Sequence, residues 1–279
     1  NFTLIPKEEV ERQRIKIITL ITEILKGWKI FIKPHPLTKT KEFSEILGMF
    51  SADGCLQKEY VCMWGNIYQD KDYYDKVVCP LFSRIFNKKV VAHEKKSNSV
   101  YGFYLCGKWI VKIFSELGFT NNKTYDVQIP KEVLNSNNKE IYAAFIRGFA
   151  DCDGGIDFLR RKGKYKQFKL KYNTYPRVQI VSVSHKIMKQ ISYLLNKLDI
   201  RHTSHYRKPT QANEKIAIKI VIRGPSRVKD FIERVGFSNP GHYNKYLIWK
   251  KFEMCPPKTT LEQRKLILDG QIDPFSFYD

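Results

Sequence analysis

No two of the six cysteines (Cys55, Cys62, Cys79, Cys106, Cys152, Cys255) form a CxxC pair, and none shows Cys/His ligand spacing. A zinc site is therefore not expected, and the thiols read as reduced, mostly buried groups of an intracellular protein. No apolar run approaches the ~20 residues that span a bilayer, so no membrane is expected. The opening stretch mixes Lys7, Glu8, Glu9, Glu11, Arg12 and Arg14 ahead of a short apolar run, unlike a secretory signal. The chain opens on Asn1 rather than methionine, which leaves room for residues upstream. Acidic residues are scarce, 28 against 49 Lys and Arg, giving a formal net charge of +21. An excess of that size points to a polyanionic partner, and nucleic acid is the commoner one. A hydrophobic content of 43% and 14% aromatics exclude a disordered basic tail.

The chain contains an internal repeat. Ile46-Leu47-Gly48-Met49-Phe50-Ser51-Ala52-Asp53-Gly54 returns as Ile146-Arg147-Gly148-Phe149-Ala150-Asp151-Cys152-Asp153-Gly154. Val111-Lys112-Ile113-Phe114 with Gly118-Phe119 likewise returns as Val228-Lys229-Asp230-Phe231 with Gly236-Phe237. The second offset is longer than the first, so copy two carries an insertion, placed in the basic stretch Leu159–Asn173. Hydrophobic periodicity reads α-β-β-α-β-β-α in each copy. In copy two, Ile187, Ile191, Leu194, Leu195 and Leu198 make a helical stripe. Ile216, Ile218, Ile220 and Ile222 alternate with Lys215, Ala217, Lys219, Val221 and Arg223, a strand with one buried and one basic face. Val228 to Val235 form a closing helix that stops at Gly236. In copy one, Tyr74 to Ile85 form a helix with a kink or break expected at Pro80. Tyr101, Phe103 and Leu105 mark a later strand, and Trp109 to Leu117 the closing helix. The division is 1–40, an N-terminal extension with a helix near Val10–Leu25; 41–134 and 135–237, the two repeats; and 238–279, a C-terminal extension. The flanks are either packing elements or accessory DNA-contacting arms.

Each nine-residue motif ends a helical stretch, Glu42–Asp53 and Lys139–Asp153. Small residues recur every four positions, Gly48 and Ala52 in one, Ala144, Gly148 and Cys152 in the other. Such a face lets two helix backbones approach closely; two helices with the same costly glycine in register are hard to explain otherwise. Asp53 and Asp153 fall at helix C-termini, where the dipole disfavours a carboxylate, and Gly54 and Gly154 fit the left-handed position that ends a helix. If the helices pair through their small faces, the carboxylates converge, and a bound cation explains them. Oxygen ligands of this kind suit Mg²⁺, which orients a water and stabilises the leaving oxygen of a phosphodiester.

These paired motifs resemble the LAGLIDADG motif over roughly residues 41–237. Gly48 and Gly148 match its glycine, Asp53 and Asp153 its last acid, Gly54 and Gly154 its final glycine. The resemblance is to the single-chain, two-repeat LAGLIDADG homing endonucleases. It implies an α+β fold of two pseudo-symmetric αββαββα repeats, a central pair of motif helices, and two curved antiparallel sheets forming a DNA-binding saddle. It implies a monomer that cuts both strands of a long asymmetric site, with Mg²⁺ (Mn²⁺ substituting) bound by Asp53 and Asp153 and the carbonyls of Ala52 and Cys152. Ser51 departs from the motif's earlier aspartate while Asp151 keeps it, a position that is not a metal ligand in the family. The family's strand-end lysine is missing: Asn66 stands there in copy one and Val183 or a neighbour in copy two. Asn66 and His185 are accessory candidates, each equally readable as a strand-end or capping residue.

On copy two the reading candidates are Lys169 with Lys171, Arg177 with Gln179, and Lys215, Lys219 and Arg223, with Arg201, His205 and Arg207 on the third strand. Arg160, Arg161, Lys164 and Lys166 suggest a phosphate clamp, mobile without DNA. The matching hairpin of copy one is short, around Gln57-Lys58-Glu59, so dissimilar half-sites are expected. Alternatives on the same fold are an RNA-splicing maturase, with intron RNA as partner, and a non-cleaving DNA-binding regulator. The chain neither opens on Cys or Ser nor closes on His-Asn, so an intron-encoded or free-standing enzyme is expected, cytoplasmic in a prokaryote and otherwise nuclear or organellar.

Overall fold

The computed structural model describes residues 40–95, 99–121, 126–162, 169–209 and 215–278, and the helix expected near Val10–Leu25 lies outside them. The first repeat runs α1 (Lys41–Asp53), β1 (Gly54–Leu56), β2 (Tyr60–Asn66), α2 (Lys71–Tyr73), a π-turn (Tyr74–Val78), α3 (Cys79–Phe86), β3 (His93–Lys95), β4 (Val100–Cys106) and α4 (Lys108–Glu116). A short α5 (Lys131–Leu134) leads to the second: α6 (Lys139–Asp153), β5 (Gly154–Lys162), β6 (Lys169–Ser182), α7 (His185–Lys197), β7 (Thr203–Arg207), β8 (Ala217–Arg223) and α8 (Pro225–Arg234). The fold is α+β, with αββαββα built twice. Its two antiparallel sheets have matching orders, β1-β2-β4-β3 and β5-β6-β8-β7.

Each sheet buries one row of alternating side chains. Val61, Met63, Tyr101, Phe103 and Leu105 do so in the first, and Ile156, Phe158, Val178, Ile180, Ile218, Ile220 and Ile222 in the second. The insertion in copy two is a lengthened β5–β6 ribbon; its tip, residues 163–168, lies outside the described residues. The basic face expected of β8 is interrupted. Ala217 and Val221 on it are buried, because Val221 sits between Gln179 of β6 and Thr203 of β7. Lys215 and Ile216 precede the strand, and Arg201 precedes β7.

The break expected at Pro80 appears one turn earlier. Proline has no N–H and its ring crowds the carbonyl four residues back. The chain relieves this by a wider turn, in which the Cys79 amide donates to the Tyr74 carbonyl five positions back.

The two motif helices form the axis of the described fold. Thr40 and Asn138 cap their N-termini, accepting from Phe43 N at 3.2 Å and Glu140 N at 2.8 Å. A Cβ placed on Gly48 would lie 2.1 Å from the Phe145 carbonyl oxygen, and one on Gly148 2.1 Å from the Glu45 carbonyl oxygen. The contact is reciprocal, backbone against backbone, and only glycine permits it. Gly54 and Gly154, by contrast, do not adopt the left-handed conformation: their φ values are −73° and −136°. They open β1 and β5 directly, and glycine is needed there for space. A Cβ on Gly54 would strike the Phe50 ring at 2.1 Å, and one on Gly154 the Ala150 carbonyl at 2.6 Å.

The C-terminal extension folds as α9 (Pro240–Phe252), α10 (Leu261–Leu268) and a 3₁₀ turn (Pro274–Tyr278). The capped segment begins in a capping box between Thr260 and Gln263. The extension packs on both repeats, through Lys265 to Asp72 at 3.0 Å and Trp249 Nε1 to the Thr174 carbonyl at 2.8 Å.

Candidate active site and nucleic-acid face

Because α1 and α6 touch through their glycines and both end at the motif acid, Asp53 and Asp153 finish side by side in sequence register, each half-buried. The groups around them report a concentration of negative charge. The Cys152 thiol is pushed well up by burial, then by Asp53, Asp151 and Asp153, and it hydrogen-bonds the Asp53 side chain. The Tyr74 phenol is pushed up by burial, then by Cys152, Asp53 and Asp70. Among the described residues no three His, Cys, Asp or Glu side chains converge as a metal cage. The donor set nevertheless fits a hard cation that keeps most of its waters: two carboxylates and the carbonyls of Ala52 and Cys152.

A buried ion pair fixes the helices against sliding. Arg147 on α6 donates from Nε and Nη2 to the two Glu45 carboxylate oxygens at 3.0 and 2.6 Å, and from Nη1 to the Val235 carbonyl. Ser238 Oγ donates to the same Glu45. Asp151 is buried one residue before Cys152 and accepts from the amides of Ser238 and Asn239 at 2.9 and 3.1 Å. Burial pushes its carboxyl up, while the two amides pull it down. Asp151 thus ties the motif to the start of α9, whereas Ser51 returns its hydroxyl to the Leu47 carbonyl.

On sheet two, the side chains pointing away from the core form one row per strand. The register aligns Asp157 with Arg177, Arg177 with Arg223, Gln179 with Val221, and His205 with Lys219. Arg177, Gln179, Lys219, Arg223, His205 and Arg207 therefore share a face. Two of them are already engaged: Arg177 grips Asp157 through Nε and Nη2 at 2.6 and 2.7 Å, and Gln179 Nε2 donates to the same carboxylate at 2.7 Å. That leaves the Gln179 carbonyl oxygen buried with no hydrogen-bond partner. Burial, then Arg177, holds Lys219 below the usual ammonium range.

The clamp residues are also partly engaged. The Arg160 guanidinium lies 5.5 Å from the Tyr278 ring centre and that of Arg161 4.6 Å from Tyr175, while Lys171 lies 5.6 Å from Tyr172. Lys164 and Lys166 fall outside the described residues, as does the side chain of Lys169. Exposed Arg201 and Lys215 flank the strands rather than sitting on them.

The accessory candidates are local structural residues. Asn66 ends β2; its Oδ1 accepts from Tyr68 N and Gln69 N, and its amide donates to Asp70. His185 opens α7, with Nε2 at 2.9 Å from the Ile216 carbonyl oxygen.

Sequence reasoning passed over three groups. Asp157 was legible as the one acid in a basic strand, and Asp151 was dismissed with its motif position. The outward row of sheet one was never read: it is aromatic, comprising Tyr60, Trp64, Tyr104 and His93.

Residues 140–236 match the family described as LAGLIDADG-like domain. The chain is 30% identical over 228 residues to the A-type ATP synthase alpha-position chain of Pyrococcus abyssi, covering 80% of this chain and 19% of that protein. It is 25% identical over 207 residues to a replication factor C small subunit of Methanocaldococcus jannaschii, covering 74% of this chain and 10% of that protein. The chain thus spans a fifth or less of the curated relatives it matches. Similar solved structures include the homing endonuclease I-DmoI in complex with DNA and Mn, at 16% identity and TM-score 0.47 over 72% of this chain and 97% of that one. I-SmaMI bound to an uncleaved DNA target with calcium ions gives 12% identity and TM-score 0.49 over 75% and 90%. Residues 140–236 form a LAGLIDADG-like domain, and the two-repeat chain resembles the single-chain LAGLIDADG homing endonucleases.

Proposed function

We propose that this protein is a site-specific double-strand DNA endonuclease in which Asp53 and Asp153, with the carbonyls of Ala52 and Cys152, hold Mg²⁺ or Mn²⁺. The observation that carries this reading is the reciprocal backbone contact at Gly48 and Gly148, which brings two carboxylate-bearing helix ends together. Carboxylates at negative helix termini oppose folding, so their pairing in both repeats supports a cationic ligand. A bound divalent ion polarises the scissile phosphate and lowers the pKa of a coordinated water. The protein's own part is positional: the Glu45–Arg147 pair and the Asp151 anchor fix the helix ends on which the ligands sit.

The basic face of sheet two binds the duplex, the ribbon of β5 and β6 extending it along the backbone. Because one chain supplies both acids, a monomer suffices, and the unlike sheets suit a long asymmetric site. That one segment recurs within an ATP synthase protein and a replication factor supports a nuclease module carried in longer host proteins, beside the intron-encoded or free-standing arrangement. The maturase and regulator readings need no paired acids, and both acids are present. Incubating the protein with duplex DNA carrying the uninterrupted host gene and Mg²⁺ or Mn²⁺ should give one double-strand break that EDTA suppresses. Intact DNA under both metals would sink the endonuclease reading.

A further inference from the structure

The two outward sheet faces occupy equivalent positions in the repeats yet carry opposite chemistry. Sheet two offers Arg177, Lys219, Arg223 and Arg207 with Gln179 and His205. On the described part of sheet one the same row holds Tyr60, Cys62, Trp64 and Asn66 on β2, Tyr104 on β4, and His93 and Lys95 on β3. The rings form a packed cluster. Trp64 meets His93 edge-on at 5.2 Å and Tyr104 at 5.0 Å, and Tyr104 meets Tyr60 at 5.1 Å. Gly102 lies in register between Trp64 and His93, and its missing side chain leaves room for the two rings to meet. The cluster is not core: Tyr104 is 38% exposed, His93 is exposed, and Trp64 and Tyr60 are half-buried. Lys95 is the row's sole cation among the described residues. It lies 4.1 Å from the Trp64 ring centre and 4.8 Å from that of Tyr104, and it hydrogen-bonds the Tyr104 hydroxyl.

This arrangement decides between two kinds of contact. A base stacks on an open ring face, but here Lys95 covers Trp64 and Tyr104, and the neighbouring rings meet Trp64 edge to face. Bidentate reading of guanine or adenine needs Arg, Asn or Gln fans, and Asn66 spends its carbonyl oxygen on its own turn. What the row offers is apolar ring edge beside one ammonium. That suits the C5-methyl groups that thymine projects into the major groove, with Lys95 toward phosphate or a guanine edge.

Resting on the endonuclease reading, we infer that sheet one reads a thymine-rich half-site through methyl contacts with Tyr104, Trp64 and His93, while sheet two reads its half-site by hydrogen bonds. The duplex is the occupant because a +21 chain has a polyanionic partner and both rows sit on the coreless faces of matched sheets.

The test uses the full chain, a random-sequence duplex pool and EDTA to prevent cutting. Selected duplexes should carry thymine in one half. Replacing each of those thymines by deoxyuridine, which lacks only the methyl, should weaken binding about fourfold per methyl. Deoxyuridine in the other half should change little. Tyr104→Ser, at an exposed position, and Trp64→Leu should each remove that methyl sensitivity, whereas Arg207→Ala should alter preference in the opposite half. Affinity unchanged by deoxyuridine in both halves overturns the inference while leaving DNA binding intact, as does methyl sensitivity undiminished in both variants. Failure to select any duplex, or selection of single-stranded RNA from a parallel pool instead, overturns the inference together with the reading beneath it.

Discussion

Replacing Gly148 by alanine puts a methyl carbon 2.1 Å from the Glu45 carbonyl oxygen and 3.0 Å from the Met49 amide nitrogen. A carbon–oxygen contact settles near ~3.3 Å, so α1 and α6 must part by about 1 Å. The obstructing atoms are backbone and cannot rotate away. Overpacking costs about 1–3 kcal/mol, and a backbone clash belongs at the upper end. Against it stands the gain of about 1 kcal/mol from alanine's helix propensity, leaving a net loss near ~2 kcal/mol. Urea unfolding followed by circular dichroism reads that loss as a lower midpoint. Gly48→Ala meets the Phe145 carbonyl at the same 2.1 Å and should behave alike. The double variant should lose less than the two single losses summed, because helices parted by one methyl already make room for the other. Activity should fall further than stability, since a ~1 Å displacement of catalytic groups can cost about 10²-fold. A midpoint unchanged or raised in Gly148→Ala, as propensity alone would give, refutes the close-contact account.

Arg147→Met strands the Glu45 carboxylate between the helices, and losing one member of a buried pair costs about 3–5 kcal/mol; Glu45→Gln/Arg147→Met together should recover part of that in the same unfolding assay, and no recovery contradicts the pairing. Asp157→Ala frees Arg177 and Gln179, so duplexes selected by that variant should change base preference in the half read by sheet two; an unchanged consensus would mean Asp157 is only a strand ornament. Burial pulls the His242 imidazole down to about 3, whereas unfolded it titrates near ~6.5. The unfolded chain therefore takes up a proton that the folded chain refuses, and stability falls as pH drops from ~6.5 toward 3, by up to about 1.4 kcal/mol per unit. Urea midpoints at pH 7.5 and 5 should diverge less in His242→Leu, and an identical divergence refutes the assignment.

The repeat was legible because its signals are local and doubled. Glycine and aspartate recur at a fixed offset, and Ile187 to Leu198 and Tyr101 to Leu105 keep helix and strand periods that their burial matches. The close helix contact was legible because a small side chain has one steric consequence wherever the partner helix lies. What depends on partners distant in sequence was not. The extended backbone at Gly54 and Gly154 is set by Phe50 and Gln179. The engagement of Arg177 and Gln179 needs the β5–β6 register to deliver Asp157, and the tie from Asp151 to Ser238 spans 87 residues. The aromatic row of sheet one was visible as residues in the strands, yet alternation does not say which row faces solvent until helices cover the other.

The central claim is that Asp53 and Asp153 jointly hold the metal for two-strand cutting. Asp53→Asn and Asp153→Asn keep size and shape while removing one charge each. Assayed on the cognate duplex with Mg²⁺, each should abolish double-strand cleavage while the gel-shift affinity for that duplex survives. Double-strand cutting at the parent rate in both variants would contradict the account.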